Sequence, residues 1–136
     1  EELIRTTYPS ALIVRAAGIY GRKNSRLVEG VRSGRAVNYR RWTNRIHHRD
    51  LIRGLEALLF APDPPQLLHA ADSCPIQLGE VVGFLASALN VSTPPDLEGE
   101  PEAGRRIENT RFHDFLGSLE FPTFREGYSH ELGSTE

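Results

Sequence analysis

An aliphatic run that ends in a glycine turn is the feature that most constrains the fold of this chain. Residues 11–21 read ALIVRAAGIYG, and the continuous run Leu12–Val14 is typical of a strand buried on both faces. Gly18 and Gly21 then permit a sharp turn and a close backbone approach. A strand that needs cover on both faces favours an α/β arrangement, in which helices pack on either side of a sheet.

A polar loop that leads into an amphipathic helix follows at residues 42–51, which read WTNRIHHRDL. Asp50 lies early in this helix, and three prolines between residues 62 and 65 end it. The apolar residues of the helix recur at helical spacing and are expected to face a core: Leu51, Ile52, Leu55, Leu58 and Leu59.

The first two thirds of the chain continue this alternation. Residues 1–7 are typical of the end of a helix, and Asn24 or Ser25 is expected to cap a second helix. A short buried strand at residues 66–71 and an amphipathic helix at residues 77–90 follow. Two short parallel strands make a thin sheet, so we expect further strands outside this chain.

The last third is less regular. Residues 92–104 are rich in Pro, Glu and Gly and are predicted to form a flexible acidic loop. Asn109 is a candidate cap for a short helix that runs through Phe115. The aromatic residues between Phe121 and Tyr128 are expected to pack the end of the chain.

Composition indicates a globular protein with one domain over its 136 residues. Hydrophobic residues make up 39% and charged residues 25%, and no apolar run approaches the ~20 residues that span a bilayer. The single cysteine, Cys74, cannot form an internal disulfide, so a reducing, cytoplasmic setting is expected.

Positive charge is concentrated in residues 22–53. This stretch holds ten Lys or Arg against two acidic residues, an excess of eight charges in a chain of net charge −2. Such a stretch indicates an anionic ligand, with phosphates the first candidates, although arginines scattered on a solvated face give the same pattern. Arg22, Lys23 and Arg26 are candidates for diphosphate contact at the start of a helix.

Four segments match motifs of one family in the order and spacing found there. Residues 15–22, RAAGIYGR, match six of eight positions of R-x-x-[NG]-[VI]-Y-G-P or near-equivalents. Residues 43–51, TNRIHHRDL, fit R-[DN]-x-I-H-x-x-D-L except at the first position. Residues 67–89 carry Asp, Pro, Glu and Ala at the expected spacing, and residues 106–128 are similar to a C-terminal cap.

The chain thus resembles the substrate-side, C-terminal half of NAD-dependent epimerases/dehydratases, in the extended and atypical short-chain dehydrogenase/reductase superfamily. The nucleotide-sugar-epimerase-like subgroup is the most similar. The resemblance implies an α/β fold that forms the C-terminal portion of a Rossmann-like domain, with few parallel strands and amphipathic helices. It also implies NAD or NADP as cofactor, cradled by an N-terminal half that we expect to lie outside this chain.

The resemblance also implies site residues. Four would run beside the nicotinamide: Ala17, Gly18, Ile19 and Tyr20. Four would contact an anionic small-molecule substrate such as a nucleotide sugar: Arg22, Asn44, Arg45 and His47. It leaves a homodimer open and implies neither a membrane nor a nucleic acid as partner.

Departures from the family pattern limit what the chain is expected to do. It has no glycine-rich dinucleotide fingerprint after a strand and no Tyr-x-x-x-Lys, since Lys23 follows Tyr20 one residue too soon. Thr43 stands where the family has its diphosphate-binding arginine, and Arg45 comes two positions later. We therefore assign no catalytic residue to this chain. A regulatory relative that binds NAD(P) without turnover remains an alternative to an oxidoreductase.

Several of these side chains have a purely structural alternative. Arg45 either holds a phosphate with a bidentate fork or forms a salt bridge with Asp50 or another acid. His47 is favoured as a hydrogen-bonding residue at the start of the helix. The adjacent His47 and His48 are expected to point apart, which argues against a metal site.

Asn44 either orients its loop through backbone hydrogen bonds or is a plain turn residue. Gly18 through Tyr20 can equally be a strand exit that needs small residues, and Trp42 either stacks on a ligand or covers the core. A second function class, a nucleic-acid-binding module, would use the basic stretch with Tyr39 and Trp42 interleaved. The net acidity of the chain and a helix whose apolar face is spent on a core argue against it.

Overall fold

Two parallel strand pairs and a small mixed sheet carry the helices of this chain. The structure is a computed structural model and describes residues 1–21 and 25–133. The elements in chain order are α1 (Glu2–Thr7), β1 (Ile13–Ala16), β2 (Gly18–Tyr20), α2 (Arg26–Arg32), β3 (Arg41–Thr43), β4 (Arg45–His47), α3 (His48–Phe60), β5 (Leu67–Ala70), β6 (Ile76–Gln77), α4 (Leu78–Leu89), β7 (Ala103–Gly104), α5 (Thr110–Leu116) and α6 (Phe124–Gly133).

The two predicted buried strands, β1 and β5, form a parallel pair in the register that places Ile13 beside Leu67. The prediction that β1 is buried on both faces is wrong, because Leu12 is 39% exposed and Val14 is only half-buried. Within the described residues β1 has a ladder partner on one edge only, so part of its surface has no cover.

A second parallel pair, β2 with β4, holds the segment that the sequence suggested as a turn. Gly18 pairs with Arg45 in this ladder, and its amide donates to the Asn44 carbonyl at 3.2 Å. A Cβ at Gly18 would approach the same carbonyl oxygen to 3.2 Å, so a small residue is needed there. The turn falls at Gly21 instead, where φ is +112° and glycine is strongly favoured.

The third sheet is built on β3, which pairs antiparallel with β6 and parallel with β7. Residues 92–104, predicted to be a flexible loop, are docked against it by main-chain bonds. The Val37 amide donates to the Pro95 carbonyl at 3.1 Å, and the Leu97 amide donates to the Val37 carbonyl at 2.9 Å. Composition did not reveal this because main-chain groups make part of the contact, and the side chains that complete it, such as Asn38 and Tyr39, lie far away in the sequence.

Two hydrophobic clusters hold the elements together. The larger lies among α2, α4 and α6 and contains Tyr20, Val28, Val31, Val81, Val82, Leu85, Ala86, Phe124 and Tyr128. The smaller lies among β4, α3, β5 and α5 and contains Ile46, Leu58, Leu68, Ala70 and Phe112. The inward face predicted for α4 is confirmed, since Val81, Val82 and Leu85 have no exposed surface.

The apolar face predicted for α3 is wrong in large part. Among its apolar residues only Leu58 is buried, whereas Ile52 is 50% and Leu59 79% exposed. The inward face is formed by Asp50, Gly54 and Leu58, because α5 packs so closely that a Cβ at Gly54 would lie 2.5 Å from the Phe112 ring. Helical spacing alone does not show which of two neighbouring stripes faces the core.

The sequence predicted the ends of the helices better than it predicted the side chains that cap them. The Ser25 hydroxyl accepts from the Val28 amide and caps α2, whereas Asn24 lies outside the described residues. Asn109 precedes α5 as predicted, but its side chain makes no cap bond. Its Nδ2 instead donates to the Ala71 carbonyl at 3.0 Å and ties α5 to the end of β5.

The end of the chain is packed by aromatic residues, as predicted. Phe121, Phe124 and Tyr128 are all buried, and the last two belong to the helix α6, which the sequence did not indicate. In the ranges that the structure describes, no helix combines the length and apolarity that a membrane crossing requires.

Candidate functional site

A cavity of about 700 Å³ lies where β2 and β4 meet α2 and α6. It is lined by backbone and side chains of Gly18, Ile19, Tyr20, Ser25, Arg26, Leu27, Thr43, Asn44, Arg45, His48, Leu78 and Tyr128. Ligand sites are concave and have a few converging polar groups in an otherwise apolar wall, and this cavity fits that description. We refer to it as the β2–β4 cavity.

Most of the residues that the sequence suggested for cofactor and substrate meet here. Gly18, Ile19, Tyr20, Asn44 and Arg45 all line the β2–β4 cavity. The parallel pairing of β2 with β4 brings them together, since it sets the nicotinamide-side stretch directly beside the polar segment.

Three of the suggested residues are not in that lining. The Ala17 amide donates to the Ala70 carbonyl at 2.9 Å and joins the two strand pairs. His47 is fully buried behind the cavity wall. Arg22, like Lys23, lies outside the described residues. Arg26, the third candidate for diphosphate contact, does line the cavity.

Arg45 is the buried cation of the β2–β4 cavity, with only 6% of its surface exposed. The salt bridge to Asp50 that the sequence left open does not form, and one terminal guanidinium nitrogen is buried with no hydrogen-bond partner. Its Cζ lies 6.0 Å from the centre of the Phe124 ring. No carboxylate forms an ion pair with Arg45 among the described residues, so the charge of this buried cation is balanced only in part, by the nearby Asp72.

Asp72 is a buried acid near Arg45 that the sequence showed only as a turn residue matching the family spacing. It is 1% exposed, its Oδ1 accepts from the Cys74 amide at 3.0 Å, and its Oδ2 has no partner. Burial raises the pKa of Asp72 to about 7, although the Cys74 amide and the charge of Arg45 oppose the rise. No local pattern in the sequence signals such burial.

Burial keeps the hydroxyl groups of both cavity tyrosines protonated, and their role is structural. Burial raises the pKa of Tyr20, and its hydroxyl donates to the Thr123 carbonyl at 3.4 Å. Burial also raises the pKa of Tyr128, while hydrogen bonds with Arg45 and Ser25 oppose that rise. The Tyr20 and Tyr128 rings lie 4.6 Å apart and close the inner end of the cavity.

Asn44 orients its loop, as one of the two sequence hypotheses held. Its Nδ2 donates to the Arg105 carbonyl at 2.6 Å, and its Oδ1 accepts from the Ile107 amide at 2.7 Å. Both polar groups are therefore bonded to the backbone of the segment that precedes α5. This arrangement holds Asn44, which lines the β2–β4 cavity, against the segment that lines the cleft beside β1.

His47 is a structural residue at the start of α3, which the sequence favoured. Its Nδ1 accepts from the Arg49 amide at 3.3 Å, and its Nε2 lies 3.1 Å from a Glu131 carboxylate oxygen. Burial lowers the pKa of His47, and the bond to Glu131 opposes that shift.

The expectation that His47 and His48 point apart is wrong. Their ring centres lie 4.6 Å apart with an angle of 31° between the planes. His47 is extended, with φ −67° and ψ 137°, and His48 begins the helix, so the alternation of side chains that an extended strand would give is broken between them. The His48 Nδ1 lies 3.3 Å from the Tyr20 carbonyl oxygen.

The basic stretch is mostly engaged within the molecule rather than forming a free positive surface. Its contacts include Arg32 with Glu29 at 3.0 Å, Arg49 with Glu120 at 2.8 Å, Arg53 with Asp50 at 2.9 Å, and Arg35 with the Arg26 carbonyl at 3.2 Å. Trp42 donates to Glu102 at 2.6 Å, and the Arg106 guanidinium lies 4.8 Å from its ring. These contacts leave Trp42 little freedom to stack on a nucleic acid base.

A second, more open cleft of about 960 Å³ lies beside β1 and the segment that leads into α5. Its charged lining consists of Arg15, His69, Arg105, Arg106, Glu108 and Arg111. Arg15 is already paired with Glu1 at 2.5 Å, and its Nη1 is 3.2 Å from the His69 ring.

Solved structures resemble this chain in fold, whereas no protein-family model and no curated protein matches its sequence. A provisionally assigned NAD-dependent epimerase/dehydratase of Methylobacillus flagellatus is 24% identical, with a TM-score of 0.77, over 98% of this chain and 50% of its own. A human epimerase family protein with NADPH is 17% identical, with a TM-score of 0.76, over 90% of this chain and 48% of its own.

A UDP-glucuronic acid 4-epimerase of Bacillus cereus, in complex with UDP-glucuronic acid and NAD, shows the same relation. It is 13% identical, with a TM-score of 0.73, over 97% of this chain and 47% of its own. This chain spans about half the length of each of these structures. Its fold is the Rossmann-like α/β fold of that half, and the fold expected from the sequence motifs is confirmed.

Proposed function

We propose that this chain is the substrate-side half of an NAD(P)-dependent oxidoreductase of the epimerase/dehydratase type, and that the β2–β4 cavity holds an anionic substrate beside the nicotinamide. The observation that carries the proposal is Arg45, a buried guanidinium without a carboxylate partner in the wall of a cavity. A buried cation without an ion-pair partner is costly, and an anion in the cavity would offset that cost.

Different residues around the cavity suit the cofactor and the substrate. Gly18 and Ile19 present backbone and a small surface at its edge, where a flat ring can approach closely. Arg26 and Arg45 supply positive charge for a phosphate or carboxylate, and Thr43 adds a polar contact on the same wall. The volume of about 700 Å³ lies within the ~300–1,000 Å³ typical of small-molecule sites.

NAD(P), when bound by the complementary half, would supply the hydride acceptor and donor. Within residues 1–21 and 25–133, neither tyrosine of the cavity is placed as a catalytic acid, because burial raises the pKa of Tyr20 and of Tyr128 and the Tyr20 hydroxyl is bonded to a carbonyl. The role of this chain is therefore to bind and orient substrate. The structures solved with NAD or NADPH, one of them with UDP-glucuronic acid, favour a nucleotide sugar as the substrate class.

Binding of UDP, used as a nucleoside diphosphate probe, tests this proposal. Isothermal titration calorimetry on the 136-residue chain is expected to show one site, weakened about tenfold or more by Arg45→Lys and by Arg26→Gln, since each removes a guanidinium from the cavity. The matched control is Arg32→Gln, an exposed arginine of α2 that is paired with Glu29 outside the cavity. Equal affinities in all variants, or no binding by the unaltered chain, would refute it.

Nucleic-acid binding is not favoured by the structure, because most arginines in the described part of the basic stretch are bonded within the molecule. A relative that binds NAD(P) without turnover differs from an oxidoreductase only in chemistry. Adding the complementary half, NAD⁺ and a nucleotide sugar and analysing the sugar by chromatography would separate these two, because an epimerase or dehydratase regenerates its cofactor and only the sugar changes. UDP binding would be the same in both.

A further inference from the structure

The surface where the end of β4 meets α6 gathers side chains that bind metals. His47 and His48 lie at the start of α3, and Glu131 reaches them from α6. One nitrogen from each imidazole and one carboxylate oxygen lie within 4.8 Å of one another. The His47 side chain is fully buried and that of Glu131 is 15% exposed.

Gly21 lies directly against two of these donors. A Cβ at Gly21 would lie 2.3 Å from the His48 Nδ1 and 2.5 Å from the His47 Nε2. Both ring nitrogens therefore pack against the same side of Gly21, and only a residue without a side chain leaves room for them. We propose that His47, His48 and Glu131 bind one divalent transition-metal ion, with Zn²⁺ the ion that suits them, and so fasten α6 to the junction of β4 and α3.

The donor set and its spacing fit zinc. Zinc accepts imidazole nitrogen and carboxylate oxygen at about 2.0–2.2 Å, which places the donors of a tetrahedral site about 3.3 Å apart. The His47 Nε2 and the Glu131 oxygen are already 3.1 Å apart. His48 and Glu131 are partly exposed and can turn to close the remaining separations. Two neutral imidazoles and one carboxylate leave a position for water, and magnesium and calcium prefer all-oxygen sites.

Metal binding would move a proton from one ring nitrogen of His47 to the other. The ring now accepts at Nδ1 from the Arg49 amide, so its proton sits on Nε2 beside Glu131. Coordination through Nε2 moves that proton to Nδ1 and gives up the bond from Arg49, which at 3.3 Å is long. The His48 contact with the Tyr20 carbonyl, also 3.3 Å, is given up as easily. We therefore expect micromolar rather than nanomolar affinity.

Titration of the 136-residue chain with ZnCl₂ tests the proposal. Isothermal titration calorimetry at pH 7.5 is expected to show one equivalent of Zn²⁺ bound and no response to Mg²⁺. His48→Ala and Glu131→Gln should each raise the Zn²⁺ dissociation constant at least tenfold, as the loss of a ligand does. Glu131→Gln keeps an oxygen that accepts from His47 Nε2–H, so a role limited to that hydrogen bond would leave Zn²⁺ binding unchanged.

Matched controls are His113→Ala on α5 and Glu56→Gln on α3, both exposed residues of the same types. These variants should bind Zn²⁺ within twofold of the unaltered chain. Thermal melts provide a second measurement: Zn²⁺ should raise Tm in the unaltered chain and in both controls but not in His48→Ala. No saturable binding, equal binding by His48→Ala and Glu131→Gln, or equal weakening by the controls would each overturn the proposal.

Discussion

Replacing Asp50 with alanine should lower the free energy of unfolding by about 3–5 kcal/mol, because it removes a buried carboxylate that accepts three hydrogen bonds. Asp50 has no exposed surface. Its oxygens accept from the Glu120 amide at 2.7 Å, the Phe121 amide at 2.9 Å and the Arg53 guanidinium at 2.9 Å. The carboxylate thus fastens the segment before α6 to the first turn of α3.

The magnitude follows from what each donor loses. The two amides are held against the protein interior, and an unsatisfied buried donor costs about 1–3 kcal/mol. The Arg53 side chain is 39% exposed and recovers water, so its pair with Asp50 contributes about 0–1 kcal/mol. Asp50→Asn keeps one accepting oxygen but turns an NH₂ group toward a donor, and is expected to cost about 1–3 kcal/mol.

Urea unfolding followed by circular dichroism measures these losses, with the slope of free energy against urea expected to stay constant. Asp63→Ala, in the exposed loop before β5, is the matched control and should change stability by less than about 0.5 kcal/mol. A loss below about 1 kcal/mol for Asp50→Ala would show that the carboxylate does not hold the segment before α6. Equal losses for alanine and asparagine would show that its hydrogen bonds do not set the cost.

Three further outcomes are expected. Burial raises the pKa of Asp72 to about 7, so the native state holds a proton that the unfolded chain loses near pH 4. The free energy of unfolding should therefore fall as pH rises from about 4 to about 7. Thermal melts at several pH values should show a smaller fall in the Asp72→Asn variant. Gly54→Ala should lower the free energy of unfolding by about 1–3 kcal/mol, because the new methyl group meets the Phe112 ring. Gly83→Ala in α4, with open space around its Cβ, should raise it by about 0.5–1 kcal/mol in urea unfolding. Similar effects of the two substitutions would contradict the close packing of α5 on α3. The unpaired edge of β1 and the exposed apolar side of α3 should make the chain self-associate with concentration in size-exclusion chromatography, and Leu59→Glu should reduce it; a concentration-independent monomer would refute this.

The sequence predicted best where one segment carries its own signal. The strand at residues 66–71 and the helix at residues 77–90 combine a hydrophobic pattern with turn residues at their ends, and the structure confirms both. The helix α3 was placed correctly, but its inward face was not. The Phe112 ring packs against Gly54, and Asp50 accepts hydrogen bonds from two amides far away in the sequence. These contacts turn the side of α3 that carries Asp50 and Gly54 toward the core.

The cavity residues were likewise predicted only where a local motif marks them. Gly18 and Arg45 were singled out by separate motifs, and only the β2–β4 ladder shows that they are neighbours. Asp72 was missed as a buried acid because its environment comes from residues far away in the sequence. The orientation of the His48 ring depends on the change from an extended residue to a helical one, and residue types alone do not specify where that change falls.

The attachment of residues 94–105 to the residues around β3 uses several main-chain carbonyl groups of the outer segment, beside the side chains of Asp96 and Glu102. Tyr39 donates to the Pro94 carbonyl, Asn38 to the Pro101 carbonyl at 2.8 Å, and Asn44 to the Arg105 carbonyl at 2.6 Å. A carbonyl accepts in the same way whichever side chain its residue carries. Exposed positions of this segment such as Leu97 and Glu98 can therefore be varied without changing the path of the backbone. Gly104, whose φ is +82° and whose Cβ would lie 2.2 Å from the Trp42 carbonyl oxygen, would have to be left alone, as would the side-chain donors Asn38, Tyr39 and Asn44.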